Sequence, residues 1–362
     1  MTNSAPAPEV LERLLSQHVP GGRVIACTPL DGIGASAVAR KEGGYSRAWR
    51  VEVADDAGRV HQFVFRTAGA DEFGHDRRAD RAASLLLAFD TFGAIPDHVR
   101  ALDVGFVAHE GLRSVRDAAE PYLVTTFAEG RLYAEDLRQI AAEQEASALD
   151  LERCDALARW LAALYARRMA DPVAWRRAVR DLLGHGEGIF GIVDAYGPDV
   201  PGAPPDRLAR IEQRCLEWRW RLRGHPERLR CTHGDFHPFN IVFSEGARFT
   251  LLDASRGCKG DPADDVTALA VNYVFFALQS PAAWRRGFAT LWRRFWERYL
   301  DASGEAVLES AAPFFAWRAL VVACPRFYPD LSHSARDALL SFAERALGTA
   351  TFDPRMTEDL FA

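Results

Sequence analysis

One short stretch limits what this chain can fold into: Cys231-Thr-His-Gly-Asp-Phe-His-Pro-Phe-Asn-Ile-Val-Phe243, followed by Leu251-Leu-Asp253. An apolar run ends on a sharp polar turn that carries His233, Asp235 and Asn240, and a second run, Ile241 to Phe243, leads away. Phe249 to Leu252 returns as a strand that ends on Asp253. The pattern predicts a hairpin with two carboxylates and an amide at its mouth. Asp, Asn and Pro are ordinary turn residues, so an isolated His-Gly-Asp would indicate a turn and nothing more. Asn240 at its offset and Asp253 on the next strand add a chemistry to the turn. Asp235 is a carboxylate that can receive or orient a hydroxyl proton, and the other two are hard oxygen ligands for a hard cation.

The chain of 362 residues is long enough for two lobes with a sizeable core, and its 48% hydrophobic content excludes disorder. A formal charge of −6 argues against a nucleic-acid partner, which would call for a basic stripe. Lys41 and Lys259 are the only lysines, so the positive charge is nearly all arginine. Six scattered cysteines, with no Cys-x-x-Cys and no Cys/His metal spacing, read as free thiols of a reducing cytoplasm. Met1 to Glu9 has no secretory pattern, and the most apolar run, Ala268 to Leu278, is too short for a bilayer. The expectation is a cytoplasmic protein with no membrane and no nucleic-acid partner; the oligomeric state stays open.

Read in order, Glu9 to Gln17 has helical spacing, and then the period shortens. Val24 to Ala26, Ala48 to Val53 and Val60 to Phe65 read as strands, the last two joined by a turn at Ala54 to Gly58. Two glycine clusters lie between them, Asp31 to Gly34 and Gly43-Gly-Tyr-Ser46; such tips let backbone N–H groups approach phosphates. The third strand ends on Arg66, and a helix over Asp76 to Phe89 offers Asp80, with Glu72 and Asp76 as rival acids. A strand over Pro121 to Phe127 precedes a boundary at Ala128 to Arg131, beyond which apolar residues recur at helical spacing. Helices are expected over Ala134 to Glu143, Leu149 to Arg168 and Pro205 to Leu222, and from Ser280-Pro281 along Trp284, Phe288, Leu291, Phe295 and Tyr299. Strands first and helices later indicate an α+β chain.

Protein kinases space H-R-D-x-x-x-x-N before a metal-binding Asp on the next strand. Here Gly234 replaces the arginine and His237-Pro238 stands inside the turn. The stretch therefore resembles the catalytic loop of the aminoglycoside phosphotransferase and choline kinase family, the small-molecule branch of the protein-kinase-like fold. Gly260-Asp-Pro-Ala-Asp-Asp-Val266 resembles that family's G-D-P-x-x-D-L segment, in which the residue matching Asp265 braces the catalytic loop.

The resemblance implies a two-lobed α+β fold, with a small antiparallel-sheet lobe over residues 1–128 and a larger helical lobe over 129–362. It implies ATP and Mg2+ as cofactors, with Asp235 as base and Asn240 and Asp253 on the metal. Gly43, Gly44 and Ser46 are preferred to Gly32 to Ala35 as the phosphate loop, Arg66 would hold phosphate, and backbone groups of Thr126 and Ala128 would meet adenine. The acceptor would be a small molecule with a hydroxyl, such as an aminoglycoside, an aminosugar or an amino alcohol. Ala254-Ser-Arg256 departs from the family's aromatic and acid after the metal-binding Asp. That departure motivates an alternative, a catalytically weak, nucleotide-binding pseudokinase with a regulatory role.

Overall fold

A computed structural model describes residues 7–16, 18–30, 46–69, 78–108, 111–113, 120–254 and 256–361. The described chain divides into two compact units, one of residues 7–93 and 98–128, the other of residues 94–97 and 129–361.

The first unit holds α1 (Pro8–Leu15), β1 (Arg23–Pro29), β2 (Ser46–Ala54), β3 (Val60–Ala68), α2 (Arg78–Thr91), β4 (Ala101–Ala108), β5 (Gly111–Arg113) and β6 (Glu120–Thr126). The strands form a six-stranded antiparallel sheet in the order β1-β2-β3-β6-β4-β5. Alternation decides its faces. Trp49, Val51 and Val53 on β2 and Phe63 and Phe65 on β3 all turn to one side, in register as Trp49↔Phe65 and Val51↔Phe63. Leu11, Leu14 and Leu15 of α1 close over that side. The β2–β3 turn is built by Asp55, whose Oδ1 accepts the N–H groups of Ala57 (3.0 Å) and Arg59 (2.9 Å). Gly58 supplies the positive φ of 76° that the turn requires.

The second unit contains β7 (Arg131–Leu132), α3 (Tyr133–Glu143), α4 (Ala148–Tyr165), α5 (Pro172–Gly184), α6 (Ile189–Asp194), α7 (Pro205–Arg223), β8 (Ile241–Phe243) and β9 (Phe249–Leu251). It continues with α8 (Pro262–Gln279), α9 (Ala289–Ser303), α10 (Ala311–Ala323) and α11 (His333–Leu347). The run that was too short for a bilayer is α8, buried along almost its whole length and packed by α3, α4, α9, α10 and α11. No helix among the described residues is long and apolar enough to cross a membrane. Capping fixes the helix starts: Ser147 and Asp150 form a reciprocal capping box on α4, worth about 1 kcal/mol.

The helix expected from Ser280-Pro281 begins differently. A 3₁₀ turn (Pro281–Ala283) and a π-turn (Trp284–Phe288) precede α9. The widened turn lets the Arg286 carbonyl accept the Ala146 N–H at 3.1 Å, and Gly287 packs against Ile140, where a Cβ would approach to 2.8 Å. Trp284, Phe288, Leu291, Phe295 and Tyr299 still share the buried face. Trp292, Trp296, Phe315, Phe342 and Phe352 pack on one another as interior aromatics. All six cysteines are free thiols, and five are buried.

Candidate active site

The expected hairpin is present. β8 and β9 pair with Ile241 opposite Leu251, and the Leu252 N–H donates to the Asn240 carbonyl at 2.8 Å. Asn240, one residue before β8, and Asp253, two residues after β9, therefore leave the same end of the ladder. Asp253 holds φ = +57°, a left-handed conformation that a non-glycine residue keeps where its surroundings impose it.

The turn itself closes on Asp235. The Asn240 Nδ2 donates to the Asp235 carbonyl at 3.0 Å and lies 3.4 Å from its Oδ2. The Asn240 N–H donates to the His237 carbonyl at 2.9 Å, within a 3₁₀ turn at Pro238–Asn240. Gly234 stands at φ = +81°, with the Gly257 carbonyl 3.2 Å from where a Cβ would sit. A larger residue here would be strained and crowded, which is why glycine precedes Asp235.

Asp265 fixes the loop from below. Its carboxylate accepts the backbone N–H groups of His233 and Gly234, both at 2.7 Å, and the Tyr165 hydroxyl at 2.9 Å. This is the bracing that the resemblance implied. Asp261 caps α8 through the Ala263 N–H at 2.9 Å and pairs with Arg228 at 2.8 Å.

Burial and the neighbouring Asp264 push the Asp265 carboxyl up to about 7, against the two N–H donors and Tyr165. Between its ordinary 3.8 and about 7 the folded chain thus holds a proton that the unfolded chain has released. Stability carried by that proton is lost as pH rises through this window. The melting temperature of Asp265→Asn, which lacks the titration, should therefore gain on the wild type from pH 4 to pH 8. A constant difference across that range would exclude the titration.

Two arginines meet at Asp235. Arg256 Nη2 lies 2.6 Å and Arg318 Nη1 2.9 Å from its Oδ1, while His237 Nε2 stands 3.4 Å from Oδ2. Both guanidinium groups also reach the Gly234 carbonyl. Arg318 pairs further with Asp264, and Arg256 lies 3.8 Å from Glu187. The Trp317 ring supports both cations, at 4.7 Å for Arg256 and 4.0 Å for Arg318, and its Nε1 donates to the Glu187 carbonyl at 2.8 Å. Burial alone would raise the Asp235 carboxyl, but Arg256, then His237 and Arg318, hold it well below the usual carboxylate range. Asp235 is ionised at any ordinary pH.

Arg256, one of the residues that depart from the family pattern, pairs with Asp235. Arg318 was not singled out from the sequence at all. The signal was present, because Arg318 is the only charged residue of Ala311–Ala323, and a charge 6% exposed in so apolar a helix must be paired.

Of the residues expected at phosphates and adenine, Gly43 and Gly44 lie outside the described residues, as do Gly32 to Ala35, Glu72 and Asp76. Ser46 begins β2 opposite Ala68, and Arg66 is half-buried on β3 between Ala48 and Leu123. Asp80 lies in the first turn of α2. The Thr126 N–H donates to the Arg100 carbonyl at 3.2 Å, and its hydroxyl accepts the Arg100 N–H at 3.2 Å. That N–H is used inside the sheet.

The donor set suits magnesium. Asn240 spends its amide N–H on Asp235, which turns its oxygen the other way, and Asp253 adds a carboxylate. Two hard oxygens fit a cation that takes its remaining ligands from phosphates and water.

No curated protein matches the chain. Among solved structures, aminoglycoside phosphotransferase APH(4)-Ia is 16% identical, with 94% of this chain and 99% of that chain covered and a TM-score of 0.51. A thermostable mutant of that enzyme, in a ternary complex with ADP and hygromycin B, is 15% identical over 93% of this chain and 98% of that one, with a TM-score of 0.52. At such identity the likeness is one of fold, and the fold is the two-lobed, kinase-like α+β arrangement expected above. The profile of the phosphotransferase enzyme family matches residues 36–314, a span that contains Arg66, Asp235, Asn240, Asp253 and Asp265. Most of the chain lies within that match, and it belongs to the phosphotransferase enzyme family.

Proposed function

We propose that the protein transfers the γ-phosphoryl group of ATP, with magnesium, to a hydroxyl of a small polar molecule of the aminoglycoside, aminosugar or amino-alcohol kind. The observation that carries this reading is the single hydrogen-bonded turn that joins Asp235 to Asn240 and, through Leu252, to Asp253. Arg256 and Arg318 engage Oδ1 of Asp235, so Oδ2 is the oxygen to which an acceptor hydroxyl would donate. A carboxylate held ionised is a weak base, and it suits a reaction whose loose transition state asks for orientation more than for early proton removal. Asn240 and Asp253 would hold magnesium, which supplies charge neutralisation at the phosphates. Arg66, Ser46, Gly43 and Gly44 would serve the phosphates, and Ala128 and the Thr126 carbonyl the adenine.

The test is ATP consumption by purified protein with magnesium, against aminoglycosides including hygromycin B, aminosugars, choline, ethanolamine and homoserine. A hit that disappears in Asp235→Asn supports the reading. The two guanidinium groups on Asp235 favour one second reading, a regulator that binds nucleotide without turning it over. That reading predicts thermal stabilisation by Mg-ATP and no phosphorylated acceptor. Absence of both stabilisation and turnover would overturn both readings.

A further inference from the structure

The second unit carries a cleft of about 430 Å³ along α5 and α7 that the proposed reaction does not use. Its lining includes Arg176, Arg177 and Arg180 from α5, Arg219 and Arg223 from α7, and the exposed Val173. On α5 the arginines fall at i, i+1 and i+4, and on α7 at i and i+4, so each helix gathers like charges on one face. Such spacing is repulsive in an unliganded helix. It also runs against the chain as a whole, whose formal charge is −6.

Little within the protein relieves this charge. Asp181 accepts from Nε of Arg177 and from Nε of Arg180, both at 3.1 Å, which leaves the Nη groups for other partners. Among the described residues it is the one carboxylate that pairs with any of the five, so five cations less one anion leave the cleft at +4. Trp220, 59% exposed, orders two of the cations: the Arg219 and Arg223 guanidinium carbons lie 5.0 Å and 5.1 Å from its ring centroid.

Guanidinium groups are planar forks that match phosphate oxygens two at a time. A cleft of this volume suits a small molecule. A polymeric nucleic acid would instead follow a basic stripe across a surface. We infer that the cleft between α5 and α7 binds the phosphate chain of a small polyanion, either an inorganic polyphosphate or a nucleoside polyphosphate. The inference does not depend on the reaction proposed for Asp235.

Calorimetric titration of the full chain with inorganic tripolyphosphate, in physiological salt, tests it against a variant carrying Arg176→Gln, Arg219→Gln and Arg223→Gln. These side chains are exposed or half-exposed, and the variant should keep the wild-type circular dichroism and melting temperature. The wild type is expected to show one more site per chain than the variant. If the nucleotide site around Arg66 also takes up tripolyphosphate the counts are two and one; if that reading fails they are one and none. Equal site numbers and affinities in wild type and variant overturn the inference.

The corresponding triple lysine variant keeps the charge but not the fork, and it should bind about tenfold more weakly. Unchanged affinity there would overturn forked recognition in favour of bulk charge. Adenosine tetraphosphate binding tenfold or more tighter than tripolyphosphate, an advantage lost in Trp220→Ala, assigns the nucleoside form; equal affinities assign the inorganic one. A single-stranded RNA 20-mer that occupies the same arginines while tripolyphosphate does not bind would overturn the small-anion assignment.

Discussion

Asp235→Asn should lower turnover about 1,000-fold or more, while the affinity for Mg-nucleotide stays within a few-fold of wild type. The amide keeps the shape and can still accept from the arginines through one oxygen, but it removes the negative charge that would orient the acceptor hydroxyl. The fold should survive, because Arg318 retains Asp264 and Arg256 retains Glu187. Steady-state kinetics together with the melting temperature make the measurement. Wild-type turnover in a folded variant would remove Asp235 from the reaction, and an unfolded variant would make the arginine cluster primarily structural.

Asp253→Ala should act on the other reactant. Its expected effect is a loss of about 100-fold or more in affinity for nucleotide in the presence of magnesium, with little change when magnesium is withheld. Alanine tolerates φ = +57° less well than aspartate, so the melting temperature is read beside the titrations, and a change confined to the magnesium-containing titration belongs to the lost carboxylate. Equal affinities of wild type and variant for Mg-ATP would refute the metal role of Asp253.

How far the site is legible in the sequence depends on how far each partner lies along the chain. Gly234, Asp235, Asn240 and Asp253 fall within twenty residues and obey turn and strand patterns, and the hairpin follows from them. The β2–β3 hairpin is legible for the same reason, from Asp55 and Gly58 between alternating runs. The bracing by Asp265 follows from the resemblance; its physical side, two backbone donors on one buried carboxylate, joins groups 31 and 32 positions apart that no local pattern links.

Arg318 reaches Asp235 across 83 positions, and nothing local to either residue announces the other. Arg256 is close in sequence, yet the ring it lies over, Trp317, arrives with α10. The π-turn at Trp284 answers to Ala146 and Ile140 on other elements. The charge in the α5–α7 cleft is invisible until two helices lie side by side whose arginines, such as Arg176 and Arg219, are 43 positions apart in sequence.

The Asp265 anchor also sets the tempo of the loop above it. His233 and Gly234 give their N–H groups to a side chain wholly buried at the start of α8, a helix buried along almost its whole length. A local flap is costly, because His233 and Gly234 are themselves buried and their release would strip two donors from a buried carboxyl group. Their deuterium uptake should therefore run at the pace of the α8 backbone, hours rather than seconds, although they sit in a turn. A turn that exchanges like a core helix would give the proposed reaction a fixed frame.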